Sequence, residues 1–160
     1  MTHAIQCVVA LDRAALSPDP KWRALADAQF LDSYQKFCFQ PYYLFSENSG
    51  NGGDVLYLTS GGGFLQTLVY GYAGVRVLPD SLQLRPVLPP KATHFALRSI
   101  EYMGSTLSVA LLGNGTRMSV EVTAGPALTL TTARGQTAKV SVGQGWGGPP
   151  QRVTVAVAAG

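Results

Sequence analysis

Charge is scarce in this 160-residue chain. Lys, Arg, Asp and Glu make up only 13% of it, and 12 basic against 9 acidic residues leave a formal net charge of +3. There is no run of Lys or Arg, so the electrostatic footprint of a nucleic-acid or anionic-membrane binder is missing and neither partner is expected. Disorder is excluded as well, because 46% of the residues are hydrophobic and disordered chains combine low hydrophobicity with high charge. Cysteine is nearly absent. Cys7 and Cys38 alone cannot build a disulfide framework or a four-ligand zinc site. The longest apolar stretch near the start, Ala4 to Leu11, is too short to cross a bilayer. It lacks a basic flank and ends at Asp12-Arg13, which makes it a poor export signal. A reduced, intracellular, cytoplasmic setting is the expectation.

What is present falls into two unlike parts. Met1, Ala4, Ile5, Val8 and Val9 recur at helical spacing, and Ser17-Pro18-Asp19-Pro20 breaks the pattern. Trp22, Leu25, Ala26, Phe30, Tyr34 and Phe37 form a second helical stripe, which Pro41 ends. A polar, glycine-bearing loop over residues 46–54 follows, then Gly61-Gly62-Gly63, then a third stripe of Phe64, Leu65, Leu68, Val69 and Tyr72. From Gly74 the period becomes two, in Val75/Val77, Leu82/Leu84, Leu107/Val109/Leu111, Met118/Val120/Val122, Leu128/Leu130, Val140/Val142 and Val153/Val155/Val157. Such alternation predicts strands with one buried face. Asn114-Gly115 suits a tight hairpin turn between two of them, and residues 143–150 read as a surface loop. The expected class is α+β: helices over residues 1–73, then an antiparallel β-sandwich over residues 74–160. Three apolar helical stripes exceed what a sandwich can cover, and the first helix has no N-cap before it. The pattern therefore predicts that further helices precede this chain in a larger protein.

Few residues could carry chemistry. The only glutamates are Glu47, Glu101 and Glu121. The last two sit in alternating strand patterns, where an outward charge is ordinary. Glu47 stands on a loop after the aromatic run Tyr42-Tyr43-Leu44-Phe45, where an apolar wall could desolvate it or hold it to orient a water; a solvated loop glutamate is the plainer alternative. Asp54 reads as a cap. His3 and His94 have no sequence partner at metal or triad spacing. Cys7 and Cys38 read as small buried hydrophobes, with no nearby base to make a thiol nucleophile. Ser60-Gly61-Gly62-Gly63 could present free N–H groups to an anion but lacks a nucleotide loop's Lys. A tight helix entry that lets backbones approach is the simpler role. Tyr42, Tyr43, Trp22 and Tyr70 could stack on a sugar ring, or sit in the core.

Glu47, the run Leu58-Thr59-Ser60-Gly61-Gly62-Gly63-Phe64-Leu65-Gln66 and the segment Tyr70-Gly71-Tyr72-Ala73-Gly74 together resemble the barrel end of glycoside hydrolase family sixty-five. Leu82-Gln83-Leu84 through Pro89-Pro90, and Tyr102-Met103-Gly104, resemble the start of that family's C-terminal β domain. The resemblance implies the terminal helices of a six-hairpin α/α barrel followed by a jelly roll, with the upstream part of the catalytic barrel lying outside this chain. It implies hydrolysis of an α-glucosidic bond with inversion, without metal or other cofactor. Two carboxyl groups do this work, an acid that protonates the leaving oxygen and a base that activates water. Glu47 matches the family's base, the acid has no counterpart here, and the isolated chain is expected to be inactive. Phosphorylase members use phosphate as nucleophile and need no base at this place, so Glu47 favours hydrolysis. The implied substrate is glucosylgalactosyl-hydroxylysine of collagen or a related α-glucoside. The competing expectation is a non-enzymatic sandwich that binds carbohydrate or protein.

Overall fold

The structure, a computed structural model, describes residues 2–157. They form two compact units that divide between Tyr72 and Ala73.

The first unit holds three helices and a minimal sheet. Helix α1 (Thr2–Leu16) ends before Ser17-Pro18, because the residue preceding a proline disfavours the helical backbone. Helix α2 (Lys21–Phe37) opens with the Lys21 N–H donated to Asp19 Oδ1 at 3.0 Å and closes where Cys38 turns extended. Strands β1 (Cys38–Phe39) and β2 (Leu44–Phe45) pair antiparallel. Helix α3 (Leu58–Gln66) runs on as a π-helical turn over Thr67–Tyr72. Helix α1 packs on α2 and on the π turn, through small buried residues: Ala4, Cys7 and Ala10 on α1 and Ala26 on α2. Gly71 completes this close approach, since a methyl group there would stand 3.0 Å from Leu11 Cδ1. The aromatics gather round Phe64, whose ring centroid lies 4.7 Å from that of Phe45 and 5.1 Å from that of Phe30.

Two sequence expectations for this unit change. The third helix starts at Leu58, so Ser60 to Gly63 lie inside it and form no entry loop. Its stripe is also not one buried face. The π turn inserts an extra residue per turn and hands burial to Thr67, Gly71 and Tyr72, while Leu65 is exposed. A helix that starts at Met1 is an expectation that lies outside the described residues. Three helices do not by themselves make a barrel.

The second unit is an antiparallel two-sheet sandwich. One sheet has the order β10-β7-β6-β5, from β5 (Phe95–Tyr102), β6 (Ser105–Leu112), β7 (Arg117–Ala124) and β10 (Gly145–Gly148). The other has the order β3-β4-β11-β8-β9, from β3 (Arg76–Val77), β4 (Leu82–Leu84), β8 (Leu128–Thr132), β9 (Thr137–Val140) and β11 (Val153–Val157). Alternation puts Leu107, Val109, Leu111, Met118, Val120 and Val122 of the first sheet in the core, with Leu82, Leu84, Leu128, Leu130, Val153 and Val155 of the second. Burying each such side chain stabilises by roughly 1.5–3 kcal/mol. Asn114 (φ 55°) and Gly115 (φ 79°) make the β6–β7 turn, because both residue types tolerate left-handed backbone.

Two strands escape the period-two reading. Strand β5 carries a bulge between Leu97 and Ile100, with Ser99 at φ 56°, and a bulge shifts alternation by one. Residues 143–150 are not wholly loop, for β10 pairs with β7 as an edge strand. Glycine at three of its four positions leaves no side-chain pattern to read, so backbone pairing alone defines it.

Candidate functional site

Glu47 lies on the loop from β2 to α3. Its neighbour Ser46 is fully buried. The Ser46 N–H donates to Phe37 O at 2.9 Å, and its hydroxyl donates to Asn48 O at 2.7 Å. The Glu47 N–H donates to Asp54 O at 2.9 Å and the Asn48 N–H to Gly52 O at 3.0 Å. Between these rungs runs a short 3-10 turn, Ser49–Asn51. Asp54 caps no helix. Its Oδ1 accepts the Leu56 N–H at 3.0 Å, a local side-chain turn that redirects the chain. The Tyr57 N–H then bonds Phe45 O at 2.9 Å, and α3 begins.

The Glu47 side chain is exposed. The aromatics before it form no wall around it, since Tyr42 and Tyr43 are themselves 70% and 65% exposed. They remain open faces, as does Tyr70, whereas Trp22 is half-buried. Glu101 and Glu121 point outward from β5 and β7. His94 is exposed at the head of β5. Cys7 and Cys38 are buried free thiols, and burial pushes the Cys7 thiol up to about 11. The anion-cradle reading of Ser60-Gly61 fails, because both N–H groups already donate to Tyr57 O, at 3.1 and 3.2 Å. Close approach fails at Gly61 and Gly62 too. A methyl on Gly61 would meet Phe45 Cβ at an ordinary 3.9 Å, and one on Gly62 would meet nothing within 4 Å.

Tertiary packing assembles two groups with no sequence signal, because their members lie far apart in the chain. His3 Nδ1 lies 2.7 Å from Gln29 Oε1 and 3.5 Å from Asp32 Oδ2, and Asp32 also pairs with Lys36 at 2.9 Å. The Tyr72 hydroxyl donates to Asp27 Oδ1 at 2.8 Å while Arg23 Nε reaches both Asp27 oxygens at 2.9 Å. This second group ties α2 to the π turn. Among the described residues no three His, Cys, Asp or Glu side chains gather as a metal site.

In the β unit, the outer face of the four-stranded sheet carries an open groove of about 410 Å³. Ala96 and Ala110 lie in it among Arg98, Ser108, Glu121 and Thr123. It offers hydrogen-bond donors and acceptors of both signs.

Comparison with known proteins finds likenesses along most of the chain. Residues 75–143 match the glycosyl hydrolase family 65 C-terminal domain. A protein-glucosylgalactosylhydroxylysine glucosidase of Dictyostelium discoideum is 34% identical over 132 residues, 82% of this chain and 17% of the relative. The enzyme of that name from Gallus gallus is 30% identical over 103 residues, 62% of this chain and 15% of the relative. An alpha,alpha-trehalose phosphorylase of Geobacillus stearothermophilus is 33% identical over 91 residues, 56% of this chain and 12% of the relative. No solved structure matches the chain. The chain thus spans less than a fifth of the length of these curated relatives. A likeness over 82% of the chain, wherever it begins, includes the segment around Glu47 as well as the sandwich. Residues 75–143 thus carry a likeness to the glycosyl hydrolase family 65 C-terminal domain, and the chain as a whole resembles the C-terminal part of the protein-glucosylgalactosylhydroxylysine glucosidases.

Proposed function

We propose that this chain supplies the water-activating half of an inverting α-glucosidase, with Glu47 as general base. The substrate class is an α-glucoside of the glucosylgalactosyl-hydroxylysine type. The observation that carries this reading is the loop itself. Hydrogen bonds at Ser46, Glu47 and Asn48 hold the backbone on both sides of one carboxylate, and that carboxylate stays open to water and to an incoming sugar. A base in this role takes a proton from water as it attacks the anomeric carbon, while an acid on the opposite side protonates the leaving oxygen. The acid comes from a part of the enzyme outside this chain, so the isolated chain is inactive. Retention of a base speaks for hydrolysis over phosphorolysis, although relatives of both kinds are similar to the chain. No cofactor takes part. The setting we assign is intracellular and cytoplasmic, in keeping with two free thiols.

The apolar faces of the helical unit support the same reading. Helix α1 buries Ala4, Cys7, Ala10 and Leu11 and still leaves Ile5, Val9 and Leu16 exposed, as are Leu58 and Leu65 on α3. Exposed large apolar side chains grouped in one unit mark a surface that another part of a protein covers. The barrel end of the six-hairpin architecture gives these faces their partners, and the natural boundary of that part is residue 73.

The test is release of glucose from glucosylgalactosyl-hydroxylysine. The purified chain should release none. Fused behind the preceding part of the Dictyostelium relative, it should turn over, and Glu47→Gln should lower the rate by roughly 10²–10⁴-fold, the usual contribution of an acid–base group. Turnover by the chain alone, or full activity of Glu47→Gln, refutes the proposal. The groove on the four-stranded sheet favours a second reading, carbohydrate binding by the sandwich without catalysis. A glycan array on which Glu47→Gln binds as well as wild type, with no turnover in the fusion, would support that one.

A further inference from the structure

We infer that Gly53 is the positioning residue for Glu47, a claim that rests on the reading of Glu47 as the base. The loop closes with the Glu47 N–H on Asp54 O and with Asn48 paired antiparallel to Gly52. Gly53 falls between those two rungs with no residue opposite. It is the extra residue of a bulge, and it takes the left-handed backbone (φ 72°) that glycine adopts at such places. Bulges of this kind re-aim a neighbouring side chain. Here the side chain is Glu47. A methyl group on Gly53 would stand 2.5 Å from Glu47 Oε2, 2.9 Å from Glu47 Cβ and 2.9 Å from Asn48 Nδ2. The carboxylate therefore lies in the notch left by the missing side chain.

The contact with Glu47 Cβ matters most. A carboxylate oxygen can swing away by rotation about its own bonds, but Cβ moves only with the backbone. A side chain at residue 53 thus displaces the stem of Glu47 and strains the Glu47–Asp54 rung beside it. An exposed glutamate otherwise samples several rotamers, and ordering one costs entropy that a preformed seat reduces. On the opposite flank Ser46, buried and bonded to Asn48 O, fixes the backbone from which the side chain departs.

Gly50 is the built-in control. It lies in the same loop at φ 69°, yet a methyl there meets nothing within 4 Å. Gly50→Ala and Gly53→Ala both put a Cβ on a residue of positive φ, and only the second touches Glu47. The chain has just three glutamates, so labelling Glu with carbon-13 gives three side-chain spin systems, with Glu101 and Glu121 as internal references. In the isolated chain, Gly53→Ala should shift the Glu47 side-chain signals and change its rotamer couplings, and Gly50→Ala should leave them as in wild type. Equal effects of the two variants overturn the inference. Gly53→Asn tolerates left-handed backbone but still carries a Cβ, and it repeats the test should the alanine variant not fold.

In the fused hydrolase, Gly53→Ala should lower kcat by about 100-fold, the scale of a one-ångström misplacement, with KM within twofold; Gly50→Ala should keep kcat within a few-fold. If Glu47→Gln abolishes turnover while the two glycine variants share one kcat, the positioning claim fails and the base stands. If Glu47→Gln stays active while Gly53→Ala still shifts the Glu47 signals, the base reading fails and the seat stands as a structural feature.

Discussion

Removing one oxygen atom from Tyr72 should loosen the whole helical unit. Tyr72 is fully buried, at the end of the π turn. Its ring meets Phe30 edge-on at 5.1 Å, and the Arg23 guanidinium stands 5.6 Å from its centroid. Tyr72→Phe keeps both contacts and deletes only the hydroxyl that donates to Asp27 at 2.8 Å. A hydrogen bond to a charged group contributes about 1.5–3 kcal/mol. Asp27 retains Arg23, and its side chain is 28% exposed, so water replaces part of the lost bond. The lower end, about 1.5 kcal/mol, is the expected loss. For a unit of this size that corresponds to a fall in Tm of roughly 6–12 °C. The chain has two tryptophans, Trp22 and Trp146, one in each unit. Urea unfolding followed by Trp22 fluorescence in a Trp146→Phe background therefore reports the helical unit alone. The double-mutant cycle with Asp27→Ala, which removes the acceptor, isolates the pair. A loss below about 0.5 kcal/mol, or the same loss in the Asp27→Ala background, refutes the assignment of this bond as the tie between α2 and the π turn.

Alkaline pH should destabilise the same unit. Burial raises the Cys7 thiol from 9.0 to about 11 and moves the Tyr72 hydroxyl upward as well, so the unfolded chain releases these protons first. The contribution of these two groups is then constant below about pH 9 and falls as pH rises toward 11. The Cys7 share is about 3 kcal/mol, and urea midpoints measured from pH 8 to 11 should show it shrink in Cys7→Ala. In the β unit, Leu107→Ala empties a fully buried site and should cost about 2–5 kcal/mol, read by Trp146 fluorescence in a Trp22→Phe background. Glu47→Gln, at an exposed position, should change stability by less than about 0.5 kcal/mol, as calorimetry of the isolated chain can check.

Much of this protein was written in its local pattern. Alternating valines and leucines determine which faces of the sandwich are buried, because strand side chains point to opposite sides whatever the partner. Pro18 and Pro20 determine where α1 stops and α2 starts, and Asn114-Gly115 determines a turn, because these are constraints on single residues' backbones. The candidacy of Glu47 was open to sequence too, through its neighbours in the run from Tyr43 to Gly74. Tertiary structure decided what depends on residues distant in the chain. It placed β10 at a sheet edge through backbone pairing that glycines do not announce. It shifted the buried face of α3 through a π turn. It gathered Arg23 and Asp27 of α2 with Tyr72 of the π turn, and His3 of α1 with Asp32 of α2. It also decided that Glu47 stands in the open against the bare backbone of Gly53, not beside an aromatic wall, because the tyrosines that precede it turn outward on their own hairpin.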